Sequence, residues 1–143
     1  GAPQNGGNQP FSQRNLLRKI ITEADSCLSL PHPGATLRFG HDTMIMPLTC
    51  LLNLNNYNVQ VFNLDSLETK GWNSAHIFPM AANIQFVFYK NPKNPQADIL
   101  IKALLNEEEV TMPLPKTSTP YYYKWNDFKT FYLKLLNNYK EPQ

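Results

Sequence analysis

The sequence predicts an α/β protein built from strand–helix units, an antiparallel hairpin and a C-terminal helix. Three observations carry this expectation. Apolar residues recur at helical spacing near both ends of the chain. Residues 84–112 hold short apolar runs joined by short connections. Residues 35–52 pass directly from a strand-like run into a helix-like one. Such a mixture buries its apolar faces by packing helices and sheet in layers.

The elements follow in order. "GAPQNGGNQP" has neither a basic start nor an apolar stretch, so it is no signal peptide. Residues 1–10 read as a flexible lead or an expression remnant. In "FSQRNLLRKIITEADSCLS", Leu16, Leu17, Ile20, Ile21, Ala24 and Leu28 form one helical stripe. Arg14 and Arg18 are expected to be solvated on it. "LPHPGA" then breaks the helix with two prolines and a glycine. "ATLRFG" is short and apolar, which favours a strand at 35–39. A helix is expected from about Thr43, capped by Asp42 or Thr43, with Pro47 close enough to its start to be tolerated.

Residues 55–82 are irregular and rich in Asn, with a helical turn expected within "NLDSLETKGW". Strands are expected at 84–90, 98–106 and 108–112, and their short connections imply antiparallel pairing. "PLPKTSTP" reads as an extended linker. The segment "YYYKW" either presents an aromatic surface or packs against the last helix. In that helix Phe128, Phe131, Tyr132, Leu135, Leu136 and Tyr139 share a face. The strand at 35–39 stands out, because a strand between two helices needs parallel neighbours to bury both faces. This chain offers few, so the fold is expected to be incomplete as given.

The bulk numbers exclude several classes. The chain has 143 residues, which suits one domain or a piece of a larger one. A hydrophobic content of 42% is ample for a core. The net charge is only +2 and the basic residues form no stripe, so no nucleic-acid partner is indicated. No apolar run is long enough to span a bilayer. Cys27 and Cys50 either pair or stay as two free buried thiols. No metal or cofactor is expected, since metal-ligand spacings and a glycine-rich phosphate loop are both missing.

The chemistry-bearing stretch is Gly40-His41-Asp42-Thr43. Ligands of α/β sheets bind beyond the carboxyl ends of strands, where the next helix directs free amides and a positive dipole end that suit a phosphate. Gly40 permits a tight turn and close approach to a ligand. His41 can donate a hydrogen bond to a phosphate oxygen. Asp42 can protonate a leaving alkoxide as a general acid. The helix N-terminus favours ionised Asp42, but a bound phosphate pushes its pKa back up, so the acid role fits the loaded site. The plainer alternatives are a capping Asp and a satisfied polar His. Arg38, on the strand leading in, either reaches a ligand or forms an ion pair. His32 and His76 read as structural. Covalent phosphoryl transfer also needs a nucleophile and arginines to hold the phosphate, and neither His32 nor His76 has an Arg beside it.

"LRFGHDT" with an apolar helix after it resembles the C-terminal motif of the histidine acid phosphatases, branch 2 of the histidine phosphatase superfamily. "SAHIFPMAANIQFVFYKN" and "ILIKALLNEEEVTMPL", including Leu104, Leu105, Asn106 and Glu107, are similar to the C-terminal region of multiple inositol polyphosphate phosphatases. The likeness runs over roughly residues 12–137. It implies a partial histidine-phosphatase (phosphoglycerate mutase-like) fold, with residues 11–143 as the C-terminal part of the domain. It implies that His41 is the second, phosphate-binding histidine and Asp42 the proton donor; Thr43 and Arg38, beside them in the sequence, are further candidates for substrate contact.

Two departures from the family pattern stand out. The inositol polyphosphate subgroup has His-Ala-Glu at this turn, whereas His41-Asp42-Thr43 is the form of acid phosphatases and phytases. The family's Arg-His-Gly nucleophile motif and its helical insert do not occur in this sequence. The expectation is therefore half of a phosphomonoesterase, inactive alone, whose partners are a phosphomonoester such as an inositol polyphosphate and the N-terminal half of the parent. Members of the family are often periplasmic, secreted or lumenal, which makes an exported parent the expectation. Two alternatives remain: a non-catalytic module with a degenerate phosphatase fold, and an unrelated α/β domain whose turn only caps a helix.

Overall fold

The computed structural model describes residues 9–31, 34–40, 42–56 and 79–139. After a 3-10 turn at Gln9–Gln13, helix α1 spans Arg14–Leu28. Leu17 and Ile21 are buried, and Leu16, Ile20, Ala24 and Leu28 pack partly against the core, as the helical stripe predicts. Cys27 and Cys50 are both free thiols, but only Cys50 is buried; Cys27 sits exposed on the last turn of α1, facing away from the core. Burial pushes the Cys50 thiol pKa up.

Helix α2 spans Asp42–Leu52 with Pro47 inside it. Pro47 cannot donate to the carbonyl of Thr43, so the cost of the missing bond falls on the first turns. Asn53 follows in the left-handed region, at φ 52°, and its amide bonds the Cys50 carbonyl at 3.1 Å. Asn is one of the few residues that adopt this backbone readily. Asn55, in the short 3-10 turn Leu54–Asn56, exchanges backbone and side-chain bonds with Thr111. That ties the end of α2 to the sheet.

Among the described residues the sheet has four antiparallel strands: β1 at Ile84–Tyr89, β2 at Leu100–Leu105, β3 at Glu108–Val110 and β4 at Tyr123–Lys124. Strand β2 is central. It pairs β1 along one edge and shares its other edge between β3 and β4. The β2–β3 connection is Asn106-Glu107, both in the left-handed region at φ 52° and 69°. Two such residues in succession make the primed two-residue turn that matches strand twist.

Helix α3, Trp125–Asn137, covers the inner face. Trp125, Phe128, Tyr132 and Leu136 form its buried stripe, while Phe131 is exposed at the stripe's edge. Phe86 meets Phe128 edge-on at 5.7 Å, and Phe88 meets Trp125 at 5.0 Å. The "YYYKW" segment divides by alternation. Tyr123 and Trp125 go into the core, whereas Tyr122 lies against Tyr89, with the Lys102 ammonium over both rings.

The expected strand at 35–39 does not form. Residues 34–40 belong to no strand, and Leu37 and Phe39 are 77% and 91% exposed. A strand exists only through a ladder with a neighbour, and no described strand runs beside this segment. The helical turn expected in residues 63–72 lies outside the described residues.

Candidate functional site

The turn joining the exposed segment to α2 holds the candidate residues. Helix α2 begins at Asp42, so its first amides, including that of Thr43, lie at the turn where an anion would be met. His41, and the side chains of Asp42 and Thr43, lie outside the described residues, as do His32 and His76.

Gly40 lies against the flexible end of the Met44 side chain, which a larger residue there would push aside. Its backbone is not in the left-handed region, but a Cβ there would run into the Met44 sulfur and lie 3.4 Å from Met44 Cε. The Met44 side chain, from the first turn of α2, folds back over the Gly40 α-carbon. No motif in the sequence marks the contact between Gly40 and Met44.

Arg38 donates to the carboxylate of Glu23 on α1. Of the two alternatives left open for Arg38, the ion pair is the one present. Glu23 went unnoticed in the sequence because its partner is fifteen residues away and no motif joins them. Arg14 and Arg18 are not simply solvated either. Arg14 donates to the Phe11 carbonyl at 3.1 Å and lies over the Tyr139 ring, and Arg18 donates to Asn137 Oδ1 at 3.2 Å.

Helix α1 is itself firmly seated. Asp25 Oδ1 accepts from Trp125 Nε1 at 3.1 Å and from Lys129 Nζ at 3.0 Å. The indole bond, then the Lys129 bond, hold the Asp25 pKa below its ordinary range, against the opposing pull of desolvation. Lys90, just past β1, donates to the Leu28 carbonyl at the end of α1. A shallow groove of about 350 Å³ between α1 and α3 is lined by Ile21, Thr22, Asp25, Ser26, Lys129 and Leu133. Its charged groups, Asp25 and Lys129, are bonded to each other.

Among the described residues no group of three or more His, Cys, Asp or Glu is placed to hold a metal ion. No described helix is long and apolar enough to cross a membrane.

Residues 12–106 match the histidine phosphatase superfamily (branch 2). A solved structure, the multiple inositol polyphosphate phosphatase of Bifidobacterium longum in complex with inositol hexasulfate, is similar at 26% identity and a TM-score of 0.67. The match covers 82% of this chain and 25% of the Bifidobacterium protein, so this chain spans about a quarter of that relative's length.

Proposed function

Because the chain belongs to branch 2 of the histidine phosphatase superfamily, we propose that its Gly40–Thr43 turn is one wall of a phosphomonoesterase site. The observation that carries this is the position of the matched "LRFGHDT" motif at the start of α2, where the first helix amides have no intrahelical partner and suit an anion. The substrate class is a phosphate monoester. An inositol polyphosphate is favoured by the likeness to the Bifidobacterium enzyme.

In this reading His41 donates to the transferring phosphoryl group, and the α2 amides and Thr43 stabilise the charge on its equatorial oxygens. Asp42, kept protonated by the phosphate beside it, gives its proton to the leaving alkoxide. A histidine outside this chain attacks phosphorus and carries the phosphoryl group until water hydrolyses it. Residues 11–143 are then the C-terminal part of the phosphatase domain, and the N-terminal part is their partner. The chain alone binds phosphate without turning esters over.

The test is hydrolysis of p-nitrophenyl phosphate by the pure chain and by the longer parent protein. The expected result is no turnover by the chain, turnover by the parent, and loss of at least ~100-fold in kcat on Asp42→Asn in the parent. Turnover by the chain that is abolished by Asp42→Asn would contradict the half-site. A second reading is a phosphate- or protein-binding module without catalysis. A parent that lacks Arg-His-Gly upstream decides for it.

A further inference from the structure

Residues 34–40 carry the chain into the candidate turn, yet no strand ladder holds them. Met44 of α2 packs over Gly40, and Glu23 of α1 binds Arg38. We infer that Glu23 is a positioning residue: through Arg38 it fixes the segment that aims the Gly40–Thr43 turn. This rests on the turn being the phosphate-binding wall.

The geometry of α1 suits the role. Glu23 and Asp25 are two positions apart, about 200° around a helix, so they project from nearly opposite sides. Asp25 is bonded to Trp125 and Lys129 of α3. Leu17 and Ile21 anchor the helix in the core, and Lys90 bonds its last turn. Glu23 therefore extends from a fixed support toward a segment that belongs to no strand. Its side chain and that of Arg38 are 39% and 33% exposed, so solvent screens the pair. Such a pair adds little to global stability. It matters locally, where a segment without ladder bonds opens independently of the core. The same contact occupies Arg38, which assigns the arginine to the segment's position rather than to the phosphate.

The experiment is amide hydrogen exchange by NMR on the wild-type chain, Glu23→Gln, Arg38→Gln and the charge swap Glu23→Arg with Arg38→Glu, followed by titration of each with inorganic phosphate. Glutamine keeps the helix propensity of glutamate. Glu23→Gln is expected to speed exchange at Leu37, Arg38, Phe39 and Gly40 roughly 2- to 5-fold, to leave the α1 amides and the thermal midpoint unchanged, and to weaken the phosphate response. The charge swap is expected to restore wild-type exchange. Unchanged exchange in Glu23→Gln, or a swap that restores nothing, overturns the inference. It is also overturned if Arg38→Gln abolishes phosphate binding while Glu23→Gln binds as wild type, since Arg38 is then a ligand. A wild-type chain with no phosphate response at Gly40–Thr43 refutes the proposed function instead, and the exchange data alone then decide the tether.

Discussion

Tyr132 is fully buried, and its hydroxyl donates to the Leu52 carbonyl at the end of α2. Burial, and then the neighbouring Tyr123, push its phenol pKa up, which favours the neutral, hydrogen-bond-donating form. Tyr132→Phe keeps the ring and leaves a buried carbonyl without its donor, which costs about 1–2 kcal/mol. A lower urea midpoint with an unchanged slope would show this. Asp25 is a second such point. Asp25→Ala removes the acceptor of the Trp125 indole and of Lys129, and is expected to cost about 1 kcal/mol, because Asp25 is half exposed and the ion pair is screened. The folded pKa of Asp25 lies below the unfolded one. Its contribution is thus complete above the unfolded carboxylate range, near ~4, and is lost as pH falls through the lower folded value. Denaturant midpoints measured at neutral and acidic pH should differ less for Asp25→Ala than for wild type. Glu107 holds a left-handed backbone at φ 69° in the β2–β3 turn. Glycine adopts it without the Cβ clash, so Glu107→Gly is expected to raise stability by about 0.5–1 kcal/mol, seen as a higher thermal midpoint.

The elements with a strong internal pattern were legible in the sequence. Helices α1 and α3 carry their apolar residues at 3.6-residue spacing, and their buried residues fall on the predicted stripes except Trp125, which extends the α3 stripe by one turn, while Phe131 on that stripe is exposed. The hairpin was legible because β1 and β2 are bounded by Asn and Pro clusters that admit only a turn. The segment 34–40 was misread for a physical reason. "ATLRFG" has strand composition, but strand formation depends on a partner edge, which composition does not encode. The candidate turn was legible as a motif, through the order Gly-His-Asp-Thr before an apolar helix. Its supports were not. The Arg38–Glu23 pair, Met44 over Gly40 and Asn55 on Thr111 each join residues that only the folded chain brings together. Arg14 and Arg18 illustrate the same point, since the helix face expected in solvent reaches Tyr139 and Asn137.

At the scale of the whole molecule, a packed sheet-and-helix core carries an exposed apolar segment beside its candidate site. Leu37 and Phe39 make few contacts with the core, so replacing both with Gln is expected to change unfolding free energy by less than ~0.5 kcal/mol. The same change removes an exposed apolar patch and should reduce self-association in sedimentation at high concentration. A fall in the thermal midpoint would mean that these side chains are buried in solution. The central claim, that the Gly40–Thr43 turn is a phosphate-binding wall, is tested most directly by titrating the ¹⁵N-labelled chain with inorganic phosphate and following its amide spectrum. Saturable shifts concentrated at Gly40, His41, Asp42 and Thr43 are the predicted result. Shifts that are absent there, or spread evenly over the surface without saturation, would contradict the claim and leave the turn as a helix cap.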